Sequence, residues 1–505
     1  MFLVAPILIV VITLLVRRDR LRKIPGPVLA RWTPLWLGYQ ARMGRRYLAV
    51  DEAHKAFLDI VVGPPCANIH MQKYGPVVRI TPTHVSVAHP DAVAMIYGHS
   101  PAFNKSEFYD AFVAETPSVF STTDRKDHSA KRRIVSQAFS YRALEQFTPF
   151  IHNNIVNFVG QLDSMCDTGR SIDILKWLHF LTFDVLADLA FGEPLGMLAS
   201  GTSLVSVQRS DGTMKKEDAI ALVEEREHLS AVLGIHPWFP FLARIIPDRF
   251  FWSGHESSNA LTDFAQRNVS KRLTSGAYRE NILEKLIAAH KCDGQVDPET
   301  IKELVAATVT LLTAGFDTTG SSVAALIYLV KTHPLVHRKL NIELEAVIDR
   351  QEIPNHRQVK DLPYLQAVIE EGLRHYAIMA TGLPRLVPEG GVEFFGQQIP
   401  AGTEVSVPAF TIQHAESIWG DPEVFRPERW LESSEQHKYL SRYLLAFGKG
   451  PRTCLGKNLA YMEIQLILAT VILRYDVELE SEHLESTEGF VHKPEHVMVK
   501  LFRKV

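Results

Sequence analysis

Three segments of the chain carry residue types at spacings that could do chemistry, and the clearest surrounds a lone cysteine near the carboxyl end. Residues Phe447 to Gly456 read FGKGPRTCLG and precede an apolar helical pattern. Arg452 and the amino terminus of that helix both favour a thiolate at Cys454. With no second cysteine or histidine at ligand spacing, such a thiolate suits one axial bond to haem iron better than zinc. A buried structural cysteine in a glycine-rich turn is the other interpretation.

The second segment is the long apolar stretch at the centre of the chain. Asp317 is its one charged residue between Leu304 and Val330, and it stands beside Thr318 among small and polar residues. In a membrane span, a central carboxylate costs about 2.5–3.5 kcal/mol, so a helix that crosses a globular core is favoured. Because burial makes ionisable groups expensive, Asp317 and Thr318 are candidates for a functional pair.

The third segment places Glu371 and Arg374 on one face of a helix. An exposed pair at this spacing contributes only about 0.2–0.5 kcal/mol. Buried with Arg429 as a third member, the group would instead be a fixed scaffold, and losing one partner would cost about 3–5 kcal/mol. Cys454, Asp317 and Glu371 must meet if they serve one site, so distant parts of the chain have to fold together.

The composition excludes several classes of protein. The chain has 505 residues, and its 54 basic and 57 acidic residues give a net charge of −3, so no basic field indicates nucleic-acid binding. Four scattered cysteines make no disulfide framework and favour a reducing compartment. Length alone predicts three or four domains. The meeting of the motifs predicts instead one catalytic body over 24–505.

Periodicity predicts a mainly α protein with small β-sheets, an α+β architecture. Alternation predicts strands at 81–87, 392–407 and 474–480. The predicted helices cover 141–165, 172–191, 216–234, 255–275, 279–291, 300–332, 334–350, 361–377 and 456–474.

The amino terminus predicts a membrane anchor with its basic flank over 1–23. Residues Phe2 to Val16 are apolar apart from one threonine and one proline, and five basic residues follow. A cleaved signal peptide carries its charge before the apolar run, which is the reverse of the order here. Since basic flanks stay in the cytosol, the body should face the cytosol.

These segments together resemble the haem-thiolate monooxygenases of the cytochrome P450 family. The likeness covers nearly the whole body and rests on motifs in the family's order, which are AGFDTT at Ala314, EGLR at Glu371, FRPERW at Phe425 and the cysteine loop. It implies that Asp317 and Thr318 relay protons during dioxygen activation, that Glu371, Arg374 and Arg429 support the cysteine loop, and that the Cys454 thiolate ligates the iron of haem b and favours O–O cleavage.

The resemblance also implies cofactor-binding residues and partners. Cations at family positions would pair with the haem propionates, His128 stands where the family has tryptophan, and the loop supplies the remaining contacts. The implied cofactor-binding set is Cys454, Arg132, His128, Arg385, Arg452, Phe447, Gly448 and Gly456. Electrons would come from NADPH through a cytochrome P450 reductase, with cytochrome b5 as an optional donor. The basic run from Asp124 to Arg133 is either a solvated surface or a docking face for that reductase.

Three further stretches resemble the fungal microsomal benzoate para-hydroxylases, namely 105–112, 183–192 and 382–385. This branch implies a small aromatic acid and O2 as substrates, and a small flat pocket. The implied substrate-contacting residues are Phe112, Ala314, Thr318, Ile378, Met379 and Leu383, with Lys105, Ser106 and Tyr109 as candidates for the carboxylate. O-demethylation or hydroxylation of methoxylated aromatics is the alternative within this branch.

One departure and two rival classes remain. Residues 56–72 stand where the family passes directly to its Lys-Tyr-Gly turn, so they are either a surface insertion or a retained intron.

A haem-thiolate isomerase or peroxide-driven enzyme has less need of the pair Asp317 and Thr318. A haem sensor or electron carrier usually fills the sixth iron position with a protein ligand, and the central helix offers neither His nor Met between Leu304 and Val330.

Overall fold

The computed structural model describes residues 19–59, 76–99, 103–166, 168–209, 211–275, 281–290 and 296–504. The predicted anchor run lies outside these residues, and so does most of the stretch 56–72. Within the described ranges, no helix combines the length and the apolar character needed to cross a bilayer. The central apolar segment, 304–330, is part of a helix buried in the protein, as its polar middle indicated.

Helices make up most of the described chain, in agreement with the predicted class. In chain order they are α1 Leu35–Arg42, α2 Arg46–Asp59, α3 Pro90–Tyr97, α4 Arg125–Ala138, α5 Tyr141–Cys166, α6 Ile174–Phe191, α7 Met197–Ser200, α8 Ala219–Leu233, α9 Phe239–Ile245, α10 Arg249–Ser275, α11 Ile282–His290, α12 Pro298–Thr332, α13 Pro334–Glu345, α14 His356–Val359, α15 Pro363–Tyr376, α16 Ala409–Gln413, α17 Glu416–Trp419, α18 Ser434–Ser441 and α19 Lys457–Arg474. Short 3₁₀ turns cover Leu29–Arg31, Glu107–Phe112, Pro427–Trp430 and Gly450–Arg452.

The strands form small sheets at the edge of the helical body. They are β1 Val77–Thr81, β2 His84–Val87, β3 Asn104–Lys105, β4 Ile172–Asp173, β5 Leu204–Gln208, β6 Met214–Asp218, β7 Arg385–Leu386, β8 Val392–Phe394, β9 Gln397–Ile399, β10 Glu404–Ser406, β11 Tyr475–Leu479, β12 Ser486–Glu488, β13 His492–Pro494 and β14 Met498–Arg503. The largest sheet has the order β1-β2-β10-β7-β3, in which β10 runs parallel to β2 and the other pairs are antiparallel.

The central helix α12 organises the core. Asp297 caps it by accepting the N–H groups of Glu299 and Thr300 at 2.9 and 3.0 Å, and Pro298 fills its first position. Its 35 residues pack against α6, α10, α15 and α19, and against β13. The helix therefore touches α15, which carries Glu371 and Arg374, and α19, which follows the cysteine loop, so segments more than 100 residues apart meet beside it.

Several element predictions were wrong at their boundaries. The helix predicted over 255–275 begins at Arg249, and the helix predicted over 334–350 ends at Glu345. The helix predicted to begin at 216 begins at Ala219, because Met214–Asp218 is a strand paired with Leu204–Gln208. The strand predicted at 81–87 is the end of β1, a turn and β2. In these last two places a tight hairpin interrupts the pattern, and its short paired strands leave only a weak alternation in the sequence.

Candidate haem-thiolate site

The cysteine loop presents its thiol in front of a helix amino terminus. Cys454 lies between the 3₁₀ turn Gly450–Arg452 and α19, and its N–H donates to the Phe447 carbonyl at 2.9 Å. The N–H groups of Gly456 and Lys457 point at Sγ. The cysteine is accessible on one side although protein surrounds it, so the thiol lies at the bottom of a concave surface.

The charge beside the thiol is not the one predicted. Burial raises the pKa of Cys454, while the N–H of Gly456 and the guanidinium of Arg132 act to lower it. Arg452 instead donates to the carbonyls of Thr122 and Thr123 at 2.7 and 3.0 Å. The prediction that Arg452 favours the thiolate was therefore wrong, because this side chain turns away from the loop. A bound metal cation is the partner that would hold Cys454 as a thiolate.

The ligand chemistry around Cys454 fits one axial bond to iron. Among the described residues, the one group of three side chains close enough to hold a metal ion is His179, Glu224 and Asp317, which does not include the cysteine. Zinc sites need three or four protein ligands. The geometry thus agrees with a single thiolate ligand, as in a haem-thiolate centre.

A partly uncovered stripe on α12 provides a second wall. Ala307, Leu311, Ala314 and Thr318 are half-buried or exposed, whereas Phe316, Asp317 and most other residues in this part of the helix are buried. Their spacing of three to four residues places them on one face. The Thr318 hydroxyl donates to the Ala314 carbonyl at 2.7 Å, which holds this side chain in position at the stripe.

Four basic side chains lie near His128, and their positive charge is complementary to the two propionates of haem. Arg452, Lys105, Arg132 and Arg385 all act on His128 and, together with its burial, lower its pKa to about 3. Arg132 donates to the Thr453 carbonyl and Arg385 to the Pro384 carbonyl, at 2.8 and 2.9 Å. In the described part of the chain, none of the four forms an ion pair with a carboxylate. Burying like charges together is costly unless anions join them, and two propionates would supply these anions.

Two of the predicted substrate residues lie at this cation cluster. The Lys105 ammonium donates to the Phe120 carbonyl and lies 3.9 Å from the ring centroid of Tyr109. Arg385 and Arg452 lower the pKa of Lys105, after burial as the larger cause. The Tyr109 hydroxyl accepts from Arg385 at 2.7 Å. The structure therefore places Lys105 and Tyr109 with the cation cluster, and their contacts give no support to a substrate-carboxylate role. Ser106 caps the adjoining turn by accepting the Phe108 N–H.

The three-residue scaffold is assembled as its burial predicted. Glu371 is 0% exposed and accepts from Arg374 at 2.8 and 3.0 Å and from Arg429 at 3.1 Å. The Trp430 indole and the Arg426 N–H add donors at 2.9 and 3.0 Å. Burial would raise the pKa of Glu371, but these partners lower it below its ordinary value.

Gln413 connects this scaffold to the cysteine loop and was not predicted. Its carbonyl accepts from Arg374 at 2.9 Å, and its side-chain Oε1 accepts from the Leu445 N–H at 2.7 Å. Leu445 lies two residues before Phe447, whose carbonyl holds the Cys454 N–H. The buried glutamate thus reaches the thiol loop through a continuous path of hydrogen bonds. A glutamine carries no sequence signal for such a role.

Asp317 belongs to a network that reasoning from the sequence missed. Its carboxylate accepts from Ser321 at 3.0 Å, and it lies 3.4 Å from His179 Nε2 and 3.7 Å from Lys493 Nζ. Lys493 also bonds to Glu224 of α8. Burial alone would raise the pKa of Asp317, but Lys493 and His179 lower it. The structure shows no side-chain hydrogen bond between Asp317 and Thr318, so any proton transfer between them needs a rearrangement or water.

An aromatic group lies beside the predicted substrate residues. Phe112 was predicted, whereas Phe120 and Phe490 were not; their ring centroids are 4.8 to 5.8 Å apart. Of the other predicted contacts, Ile378 is buried, and Met379 and Leu383 are half-buried. Phe490 comes after the cysteine loop in the chain, and only the fold brings it to Phe112. The substrate roles of these residues stay predictions.

A glycine pair in the loop gives a matched test of its close packing. Gly450 has a φ of 65°, and a Cβ there would lie 2.0 Å from the Tyr97 carbonyl oxygen. Gly448 has the same φ, but the nearest atom to its Cβ would be 4.0 Å away. Left-handed backbone costs about 1–2 kcal/mol for alanine at either position. We expect Gly450→Ala to lose clearly more thermal stability and haem content than Gly448→Ala. Thermal unfolding measures the stability, and the reduced carbon monoxide spectrum measures the haem content. Equal losses in the two variants would show that the contact with Tyr97 is unimportant.

Comparison with known proteins shows which proteins this chain is similar to. The model of the family Cytochrome P450 matches residues 68–501. The chain is similar to benzoate 4-monooxygenase bphA of Aspergillus niger, with 37% identity over 97% of this chain and 94% of that protein. It is also similar to cytochrome P450 monooxygenase cicH of Emericella nidulans (30% identity, 93% and 91% covered) and to pisatin demethylase of Fusarium vanettenii (29% identity, 91% and 85% covered).

Proposed function

Because the chain belongs to the cytochrome P450 family and is a monooxygenase of that family, we propose that it hydroxylates benzoate-type acids at the ring position opposite the carboxylate. The observation that carries this proposal is the 37% identity to a benzoate 4-monooxygenase across almost the whole of both chains. The aromatic group of Phe112, Phe120 and Phe490 supports it, since a flat ring packs well between aromatic side chains.

The family implies haem, O2 and a redox partner. Different residues of this chain would bind the haem and deliver protons. Bound at Cys454, haem would supply the reductive activation of dioxygen that the fold itself cannot perform. Arg132, Arg385 and Arg452 would hold its propionates. Thr318 presents a hydroxyl at the uncovered stripe of α12, and Asp317 holds a carboxylate one residue before it. In this proposal the two side chains deliver protons, while the apolar stripe excludes bulk water.

We further propose NADPH and a cytochrome P450 reductase as the electron source, with cytochrome b5 as an optional second donor. Arg125, Lys126 and Arg133 are exposed on α4, the helix whose Arg132 contacts the cysteine loop. Exposed Lys457 follows that loop. An acidic partner surface would be steered to this side of the protein, close to the iron ligand.

The proposed location is the endoplasmic reticulum membrane, with the body in the cytosol. Two segments of the described body expose apolar side chains that a lipid surface would cover. The first contains Trp32 and Leu35, and the second contains Trp238 and Phe241, which are 72% and 64% exposed. The segments adjoin, because Gly38 of α1 lies against the Phe239 ring of α9. The apolar run 2–16 would insert beside this surface.

The proposal predicts that benzoate binds the haem-loaded protein and shifts its haem absorption to shorter wavelength. Turnover with NADPH and reductase should yield 4-hydroxybenzoate, with O2 uptake matching product, and should slow as salt is added. A bulky terpene serves as the control ligand. A shift with the terpene and none with benzoate would contradict the substrate class.

O-demethylation is the second candidate, because the chain is also similar to a pisatin demethylase. The same assay separates the two reactions. With 4-methoxybenzoate as substrate, demethylation releases formaldehyde in step with O2 uptake. Formaldehyde release without hydroxylation of benzoate would favour this second function.

A further inference from the structure

Helix α8 carries an arginine in the middle of its apolar face. Arg226 is 3% exposed and shares that face with Leu222, Val223 and Leu229, which are also buried. A buried guanidinium is costly unless anions or carbonyls satisfy its N–H groups. Its presence on this face therefore needs a physical reason.

The described contacts satisfy this guanidinium only in part. Nη2 donates to the Phe112 carbonyl at 2.9 Å, and Nη1 bonds to Glu227, the next residue in the chain. Nε is buried and has no hydrogen-bond partner among the described residues. Burial raises the pKa of Glu227, although Arg226 acts to lower it, and the charge of Asp317 raises it further, so Glu227 is a weakened counter-charge.

The Phe112 carbonyl connects Arg226 to the aromatic group. The Phe112 ring lies 4.8 Å from that of Phe490 and 5.4 Å from that of Phe120. The chain next to Phe490 also packs on α8, because a Cβ on Gly489 would lie 3.4 Å from His228 Cβ. A cation with an unused donor thus stands at one end of the aromatic group, on the side of α8.

Three other buried cations near this region already have hydrogen-bond partners. Arg385 donates to the Tyr109 hydroxyl and to the Pro384 carbonyl. Lys105 bonds to the Phe120 carbonyl within the cation cluster. Lys493 lies between the carboxylates of Glu224 and Asp317. Arg226 has one carboxylate partner, Glu227, and that partner is weakened by its own burial.

We propose that Arg226 binds the carboxylate of the aromatic acid substrate, an assignment that rests on the proposed function. A guanidinium offers two parallel N–H groups to a carboxylate, and a substrate carboxylate would displace that of Glu227. The ring would then pack against Phe112 and Phe490. The ring atom opposite the carboxylate would then lie at the end of the substrate farthest from Arg226.

Ligand titrations with haem-loaded variants test this assignment. Arg226→Met should weaken benzoate binding about 10- to 100-fold and leave neutral benzamide within about 3-fold. Glu227→Gln removes the competing carboxylate and should tighten benzoate binding. Arg226→Lys keeps the positive charge but lacks the two parallel N–H groups, so it should bind benzoate with intermediate affinity. Haem absorption and the rise in thermal unfolding temperature with ligand report binding independently of turnover.

The outcomes separate the two ideas. Absence of a benzoate response in the unmodified protein, with a response to another ligand class, overturns the proposed function. A response that Arg226→Met and Glu227→Gln both leave unchanged overturns the role of Arg226 alone. If Arg226→Met does not hold haem, the opposite shifts expected for Arg226→Lys and Glu227→Gln decide the question.

Discussion

Glu371→Gln is expected to lower the free energy of unfolding by about 3–5 kcal/mol and to reduce the fraction of protein that holds haem through Cys454. The carboxylate accepts five hydrogen bonds in a fully buried position, two of them from Arg374. Glutamine keeps the shape but leaves the Arg374 guanidinium buried without a counter-charge, and it leaves Arg429 with Asp421, whose side chain is 42% exposed. Through Gln413 and Leu445, the disturbance reaches the carbonyl that holds the Cys454 N–H.

Chemical unfolding measures the stability loss, and the reduced carbon monoxide spectrum reports thiolate ligation. Glu370→Gln is the matched control, because Glu370 lies on the same helix and is also buried but bonds to Gln366 and His437 instead of arginines. This control should lose much less stability. If the two variants behave alike, the arginine network does not support the loop.

The stability from Glu371 also has a defined pH dependence. Its pKa in the folded protein is lowered from the ordinary value of 4.5, so its contribution is fully present at neutral pH. That contribution is lost as the pH falls below the ordinary value and through the lowered one. In the Glu371→Gln variant, this part of the acid destabilisation should be missing.

Local patterns predicted the ends of some long helices closely, but the helices α2, Arg46–Asp59, and α4, Arg125–Ala138, were not predicted. The helix predicted over 141–165 spans Tyr141–Cys166, and the one predicted over 456–474 spans Lys457–Arg474. Short strands and the hairpin Leu204–Asp218 were not predicted, because pairing across a few residues leaves only a weak alternation of apolar and polar residues. That 24–505 form a single catalytic body stays a prediction.

The site was predictable where its residues are neighbours in a motif. The cysteine loop, Glu371 with Arg374, and the buried central helix are all visible as local spacing. Gln413, Lys493 and Phe490 are not, because their roles come from contacts with residues 32 to 378 positions away. The choice of Arg132 over Arg452 beside Cys454 likewise depends on side-chain direction, which spacing cannot give.

Asp317→Asn is expected to lower product formation about 10²- to 10⁴-fold while haem content stays near that of the unmodified protein. Asparagine keeps the contact with Ser321 but cannot accept a proton and pass it on, and it has no charge for Lys493. Reduction of the haem and binding of benzoate should persist. Consumption of NADPH should therefore continue with little product, and the ratio of product to NADPH is the measurement. A ratio equal to that of the unmodified protein would remove Asp317 from proton delivery.

Lys493→Met tests the cation that holds Asp317 ionised. Without the Lys493 ammonium, the buried Asp317 carboxylate loses a cationic partner and still lies close to Glu224. We expect this to lower the free energy of unfolding by about 3 kcal/mol near neutral pH. Because the pKa of Asp317 in the folded protein is lowered mainly by Lys493, removing this cation raises it, and mild acid then protonates and relieves the carboxylate. The difference in unfolding temperature from the unmodified protein should therefore shrink as the pH falls. Lys493→Arg keeps the charge and should show neither the loss nor the pH dependence; a loss in Lys493→Met that does not change with pH would mean that Lys493 contributes packing and not charge.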